Sequence, residues 1–173
     1  MKQVPIVKEE FRCEGGVVTG ATAQVALWTN QRLGQGLVLV PCVAIGVIHP
    51  TVRDEQVDEL NLPNQLVAGV IFYNYRNDHE GSEVYLSVHT DASVTGHPSV
   101  IRKVLEYPFE RWKVRRLTAE ILSTNTRSIR NAQMLGFKLE GVKRQAGANG
   151  ADIQIYGLLP EECPIWTGRE KAA

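Results

Sequence analysis

The sequence predicts an α+β domain in which a mixed, mostly antiparallel central sheet carries helices on both faces. Three observations predict it. Residues 83–89 and 116–123 alternate apolar and polar side chains, as strands do when one face is buried. Residues 98–112 place Val100, Ile101, Val104, Leu105, Phe109 and Trp112 on one helical face. Strand-like and helix-like stretches also interleave along the whole chain without a Pro/Gly/Ser linker to divide it. At 173 residues the chain reads as one domain over 1–173, a size that buries about two-thirds of the surface its unfolded form exposes.

Each element follows from local chemistry. After a short extended N-terminal piece, residues 21–33 carry Val25, Ala26, Leu27 and Leu33 among polar residues and end at Gly34, a helix with its stop signal. The β-branched run 37–48 reads as strand in two pieces broken at Pro41. Residues 49–65, acidic and holding Pro50 and Pro63, read as an exposed insertion with one helical turn around Val57 and Leu60. Two strands, 66–75 and 83–89, are joined by the polar loop 76–82. Pro98 suits the first position of a helix, where its missing N–H is not needed. Pro108 is expected to kink or end that helix. Strand 116–123, helix 126–135 and an antiparallel pair formed by 137–141 and 152–159 complete the domain.

Composition excludes several classes. Cys13, Cys42 and Cys163 lack the paired spacing of a zinc site or redox motif, so free thiols in a reducing compartment are expected. The four histidines show no metal-ligand spacing, and no metal is expected. The N-terminal residues contain no sustained apolar run, and the stretch 37–48 falls short of the ~20 residues that span a bilayer. A cytoplasmic protein away from membranes is the expectation. The formal charge is zero, but it is unevenly distributed: residues 50–99 carry two basic against eight acidic side chains, and residues 100–144 eleven against four. A neutral total speaks against nucleic-acid binding, which draws on many phosphate contacts, while the basic half can receive one compact polyanion.

The densest chemistry lies in "NTRSIRNAQMLGFKLEG", residues 125–141. Asn125 stands between a strand and a helix, where its side chain can cap the first turn. Gly136 suits the left-handed position that ends the helix. Caps explain those two residues but not Ser128 with Arg127 and Arg130, because cations near a helix N-terminus are slightly unfavourable. An anion bound there reverses the penalty.

The run N-x-x-S, seven residues, then G-F-x-x-E-G, present as Asn125, Ser128, Gly136, Phe137, Glu140 and Gly141, resembles the C-terminal motif of the GNAT superfamily of acetyl-CoA-dependent N-acetyltransferases. It looks closest to the Rim-type branch, which acetylates N-termini of ribosomal proteins. The resemblance extends back through "RRLTAEILSTN" and forward through "GVKRQ" and "ADIQIYGLL" to "PIW", covering residues 66–166.

The resemblance implies acetyl transfer from acetyl-CoA to a primary amine, of a protein or peptide. Glu120, five residues before Asn125, stands where some N-terminal acetyltransferases of the family carry a base working through water. An exposed carboxylate facing neighbouring arginines is the plainer alternative. Ser128 matches the hydroxyl that Rim-type relatives place near the thiol sulfur, whereas the tyrosine other branches use is Ala132 here. The oxyanion donor is expected among backbone N–H groups near Val88 and His89. His89 itself is an alternative base.

Two elements depart from the family: the acidic stretch 50–65, where the family usually has a tight hairpin, and a turn. The family's glycine-rich turn R/Q-x-x-G-x-G/A, which holds the coenzyme A pyrophosphate, is replaced by "DASVTGHPSV". Gly96 stands for one glycine, His97 follows it, and Pro98 supplies no N–H. Three accounts remain open at this level. Coenzyme A is held by fewer amides with help from Arg102, Lys103 or Arg130; the domain is a non-catalytic binding or assembly module; or another acyl carrier is used. Gly96, His97, Val88, His89, Asn125 and Arg130 are the residues expected against the cofactor. The acidic insertion either attracts a cationic substrate or is a variable surface segment. A homodimer is compatible with the sequence, which does not specify one.

Overall fold

The computed structural model describes residues 9–34, 41–79, 81–91 and 97–168. Its strands are β1 (Arg12–Glu14), β2 (Val17–Thr19), β3 (Cys42–Ile48), β4 (Leu66–Asn77), β5 (Ser82–Thr90), β6 (Arg116–Leu122), β7 (Lys138–Lys143) and β8 (Ile153–Leu158). Its helices are α1 (Thr22–Arg32), α2 (Leu62–Gln65), α3 (Pro98–Glu106), α4 (Thr126–Met134) and α5 (Pro164–Thr167). Among the described residues the strands form one eight-stranded sheet in the order β1-β2-β3-β4-β5-β6-β8-β7. Every neighbouring pair is antiparallel except β5 and β6. Parallel neighbours need a crossover, and α3 provides it.

The predicted α+β class holds, and most segments fall where periodicity places them. Of the predicted strand over 37–48, the part over 42–48 forms β3, and residues 35–40 lie outside the described residues. The N-terminal extended piece becomes the β1–β2 hairpin.

Pro108 neither ends nor breaks the helix it follows. Residues Tyr107–Arg111 continue α3 as a π-helical turn, with the Trp112 N–H donating to the Tyr107 carbonyl at 3.0 Å. Widening the turn accommodates a ring that cannot donate. It also carries Phe109 and Trp112 into the core, where Trp112 meets Phe72 edge-on at 5.4 Å and Tyr107 at 6.0 Å.

The segment after β3 holds two 3-10 turns, Asp54–Gln56 and Glu59–Asn61, and then α2, rather than a single helical turn. It is fastened at both ends. Leu62 is fully buried, and the Asp54 carboxylate accepts from the Gly15 and Gly16 amides. Those hydrogen bonds, led by the one from Gly16, hold the Asp54 carboxyl below the usual carboxylate range.

The sheet separates two apolar layers. Phe72, Val84, Leu117, Tyr156 and Leu158 meet α3 and α4 on one side, while Val18, Ile48, Leu62 and Ile71 meet Val25 and Trp28 of α1 on the other. Gly46 and Gly69 stand opposite each other on β3 and β4. A Cβ on Gly69 would run into the Thr29 hydroxyl and reach Val25 at 3.3 Å, and one on Gly46 would reach Val25 at 3.2 Å. The paired glycines therefore let α1 lie close against the strands.

Gly69→Ala is expected to lower unfolding stability by about 1–3 kcal/mol, the usual cost of overfilling a packed core. Denaturant unfolding measures it, and an unchanged midpoint would show that α1 is not held at this approach.

Candidate functional site

The sheet opens in its middle. β5 and β6 pair over Glu83–Leu86 and Arg116–Ala119 alone, although β5 continues beside β4 to Thr90 and β6 beside β8 to Leu122. Beyond Leu86 and Ala119 the two strands part. Residues 87–89 and 120–121 lie past the last β5–β6 pair and have no partner across the gap in that ladder among the described residues, and polar backbone groups without partners inside a sheet call for water or a ligand. Because the strands are parallel, the helices that follow them, α3 and α4, both begin at the open end of this fork. Their N-termini supply positive dipole ends beside it.

On the side of α3 and α4, Asn125 caps α4 by accepting from the Ser128 N–H at 3.1 Å. The first turn holds no acidic residue, and Arg127 and Arg130 have no ion-pair partner among the described residues. Gly136 closes the helix at φ +97°, and a Cβ there would collide with the Glu162 carbonyl. Val88 lies past the fork and is 43% exposed, an apolar residue presented to solvent on this face. His97 stands at the N-cap of α3 without a side-chain cap bond, followed by Pro98. Gly96 lies outside the described residues.

Arg102 and Lys103 are engaged elsewhere. Arg102 donates to the Trp166 carbonyl at 2.8 Å and lies over the Trp166 ring at 5.0 Å; Lys103 pairs with Glu14 at 2.9 Å. Of the three cations expected to assist an anion, Arg130 is the one without such a commitment.

The opposite face carries Glu120, the first residue of β6 past the fork. Its carboxylate accepts from Lys143 Nζ on β7, and this bond raises the Lys143 pKa. Tyr73 and Tyr85 lie alongside with ring centroids 5.8 Å apart, and burial raises both phenol pKa values. Glu120 and Lys143 each act electrostatically on both phenols. His89 shares this face: its Nε2 lies 2.8 Å from Asp91, and its ring meets Trp28 edge-on at 5.7 Å. The Asp91 carboxyl is held low, first by His89 and then by Arg32. Trp28 is buried with its indole N–H unpartnered, and Arg32 stacks on its ring.

The overall fold is similar to that of solved acetyltransferase structures. The ribosomal-protein-S5-alanine acetyltransferase of Vibrio fischeri superposes with a TM-score of 0.58 at 13% identity, over 87% of this chain and 97% of that one. Mutant forms of the spermidine/spermine N-acetyltransferase of Vibrio cholerae give 0.55 at 11% identity, over 75% and 72%. A Vibrio cholerae spermidine N-acetyltransferase chimera gives 0.52 at 14%, over 68% of this chain and 66% of that one. The chain has the GNAT fold. No family model and no curated protein matches its sequence.

Within the GNAT fold the predicted residues divide between the two mouths of the fork. Asn125, Ser128, Arg130 and Val88 lie on the helix side, and Glu120 and His89 lie on the other. Sequence reasoning missed Lys143, Tyr73 and Tyr85. Strand alternation from Gly141 puts Lys143 on the Glu120 face, but the β7 bulge at Leu139/Gly141 hides that register from a linear reading. Two acidic side chains of the insertion are engaged within the fold: besides the Asp54 contacts, Asp58 caps its second turn by accepting from the Leu60 N–H. Among the described residues no cluster suits a metal ion, and no helix is long and apolar enough to cross a membrane.

Asn125→Ala is expected to cost about 1 kcal/mol of stability, most of which Asn125→Asp restores. Equal losses in the two variants, measured by thermal unfolding, would deny the cap.

Proposed function

We propose that this protein is an acetyl-CoA-dependent N-acetyltransferase that modifies a primary amine of a protein or peptide, as Rim-type enzymes do. The fork between β5 and β6 carries the proposal. Its edges beyond Leu86 and Ala119, not paired with each other, suit an extended ligand bearing amide groups, which completes the ladder as an added strand does, and the pantetheine arm of coenzyme A is such a ligand. The pyrophosphate then lies toward the N-termini of α3 and α4, with Asn125 and Arg130 on one flank and His97 on the other. Arg130, in the second turn of α4, contributes a positive charge close to that helix N-terminus.

The acyl end reaches the closed end of the fork. There an amine attacks the thioester carbonyl, and a backbone N–H near Val88 or His89 donates to the developing oxyanion. An N-terminal amine has a pKa of ~8 and a lysine ~10.4, so the acceptor must first lose a proton. Glu120, on the opposite face, is placed to take that proton directly or through water. A thiolate with a conjugate pKa near ~8.5 leaves readily, so Ser128 orients the sulfur more than it protonates it.

The non-catalytic reading draws on Pro98, which offers no N–H, and on the engagement of Arg102 and Lys103. Calorimetric titration with acetyl-CoA separates the two. Binding followed by acetylation of an N-terminal peptide supports the enzyme; no heat and no thermal shift at millimolar acetyl-CoA refutes it. Glu120→Gln is expected to lower turnover by about 10²-fold or more at neutral pH, with acetyl-CoA affinity retained. Unchanged turnover would assign the proton transfer to water or His89.

A further inference from the structure

The Glu120 carboxylate, at the closed end of the fork, is already occupied. Its partner is a primary amine belonging to the chain: Lys143 Nζ. β7 is the edge strand beyond β8, and Lys143 reaches across β8 to lie with Glu120, Tyr73 and Tyr85. An acceptor amine entering from this face needs the same carboxylate and the same position. The other described lysine ion pairs, Lys103 with Glu14 and Lys138 with Glu162, involve no residue of the fork.

We propose that Lys143 is an acceptor of the protein's own transfer reaction, acetylated in place by the acetyl-CoA bound in the fork. The inference rests on the acetyltransferase reading above and names one substrate of that site. The lysine ammonium gives a proton to Glu120, which passes it to solvent. The free Nζ pair attacks the thioester carbonyl, a C–N bond forms and the C–S bond breaks. The proton remaining in excess on nitrogen goes to the departing thiolate, leaving an amide and free coenzyme A thiol. Acetylation removes the charge that held Glu120, so the carboxylate becomes available to amines from outside. Lys143 thus acts as a resident first substrate whose modification opens the site.

Background chemistry works against this outcome, which makes it informative. Pairing with Glu120 raises the Lys143 pKa and keeps it an ammonium, so uncatalysed acetylation by the thioester should disfavour it relative to freer lysines. Selective modification of Lys143 therefore requires the site.

The experiment incubates the full chain with acetyl-CoA and follows acetylation at each lysine by peptide mass mapping, at several protein concentrations, beside a urea-unfolded control. Lys143 is expected to be modified roughly tenfold or more faster than Lys138, as an amine positioned at the reacting thioester outpaces one that is ion-paired away from it. The rate per molecule should be independent of protein concentration and should rise with pH. The preference should vanish in urea and in Glu120→Gln, and Lys143→Gln should acetylate an added peptide without the initial lag of the unmodified chain. Modification of Lys143 no faster than Lys138, or a preference that persists in urea, overturns the proposal. Transfer to an added peptide while Lys143 stays unmodified overturns it and leaves the acetyltransferase reading standing. Absence of acetyl-CoA binding overturns both.

Discussion

Four residue pairs hold the two halves of the sheet together. Glu83–Leu86 against Arg116–Ala119 is the whole of the parallel contact between β5 and β6, and the rest of the architecture follows from where it stops. Each strand stays anchored to its outer neighbour after the split, so parting leaves paired strands on either side and a gap between them. A parallel pair also forces a crossover, which puts the starts of both following helices at the open end. Strand edges that lack a β5–β6 ladder partner among the described residues, positive helix ends and an exposed Val88 thus meet in one place as a consequence of topology.

Holding a sheet open in its middle requires firm packing on both faces. On the helix side Trp112 does much of this, edge-on to Phe72, Tyr75 and Tyr107, and it arrives there because the π-helical turn at Pro108 prolongs α3. On the other side Gly46 and Gly69 let α1 settle against β3 and β4. The acidic segment after β3 closes onto the β1–β2 turn through Asp54, bracing the edge rather than presenting that charge to a substrate. The face below β6, β8 and β7 is polar instead, with Glu83, Arg116 and Glu140 linked beside Thr118.

How far these features can be read from sequence depends on their range. Period-two and helical alternation locate β5, β6, α3 and α4, because each pattern is local. Asn125 and Gly136 are legible for the same reason: capping and left-handed backbone are properties of a few adjacent residues. The fork itself leaves no local signal, since Ser87 and Glu120 have the alternation of ordinary strand residues and the parting depends on how two distant segments pair. Lys143 is illegible for a related reason, as it meets Glu120 across an intervening strand and past a bulge. Pro108 misled because its usual effect, a broken helix, is avoided by widening the turn. Arg102 and Lys103 looked available because Trp166 and Glu14, which engage them, are distant in sequence.

The central claim is that the gap between β5 and β6 is the binding site for acetyl-CoA. Amide hydrogen exchange across the chain, with and without saturating acetyl-CoA, tests it most directly, because it reads the backbone edges that a bound arm would cover. Slowed exchange concentrated at residues 87–90 and 120–122, extending into the first turns of α3 and α4, is the result the account predicts. Exchange in those segments unchanged by acetyl-CoA, or protection confined to another surface, would contradict it.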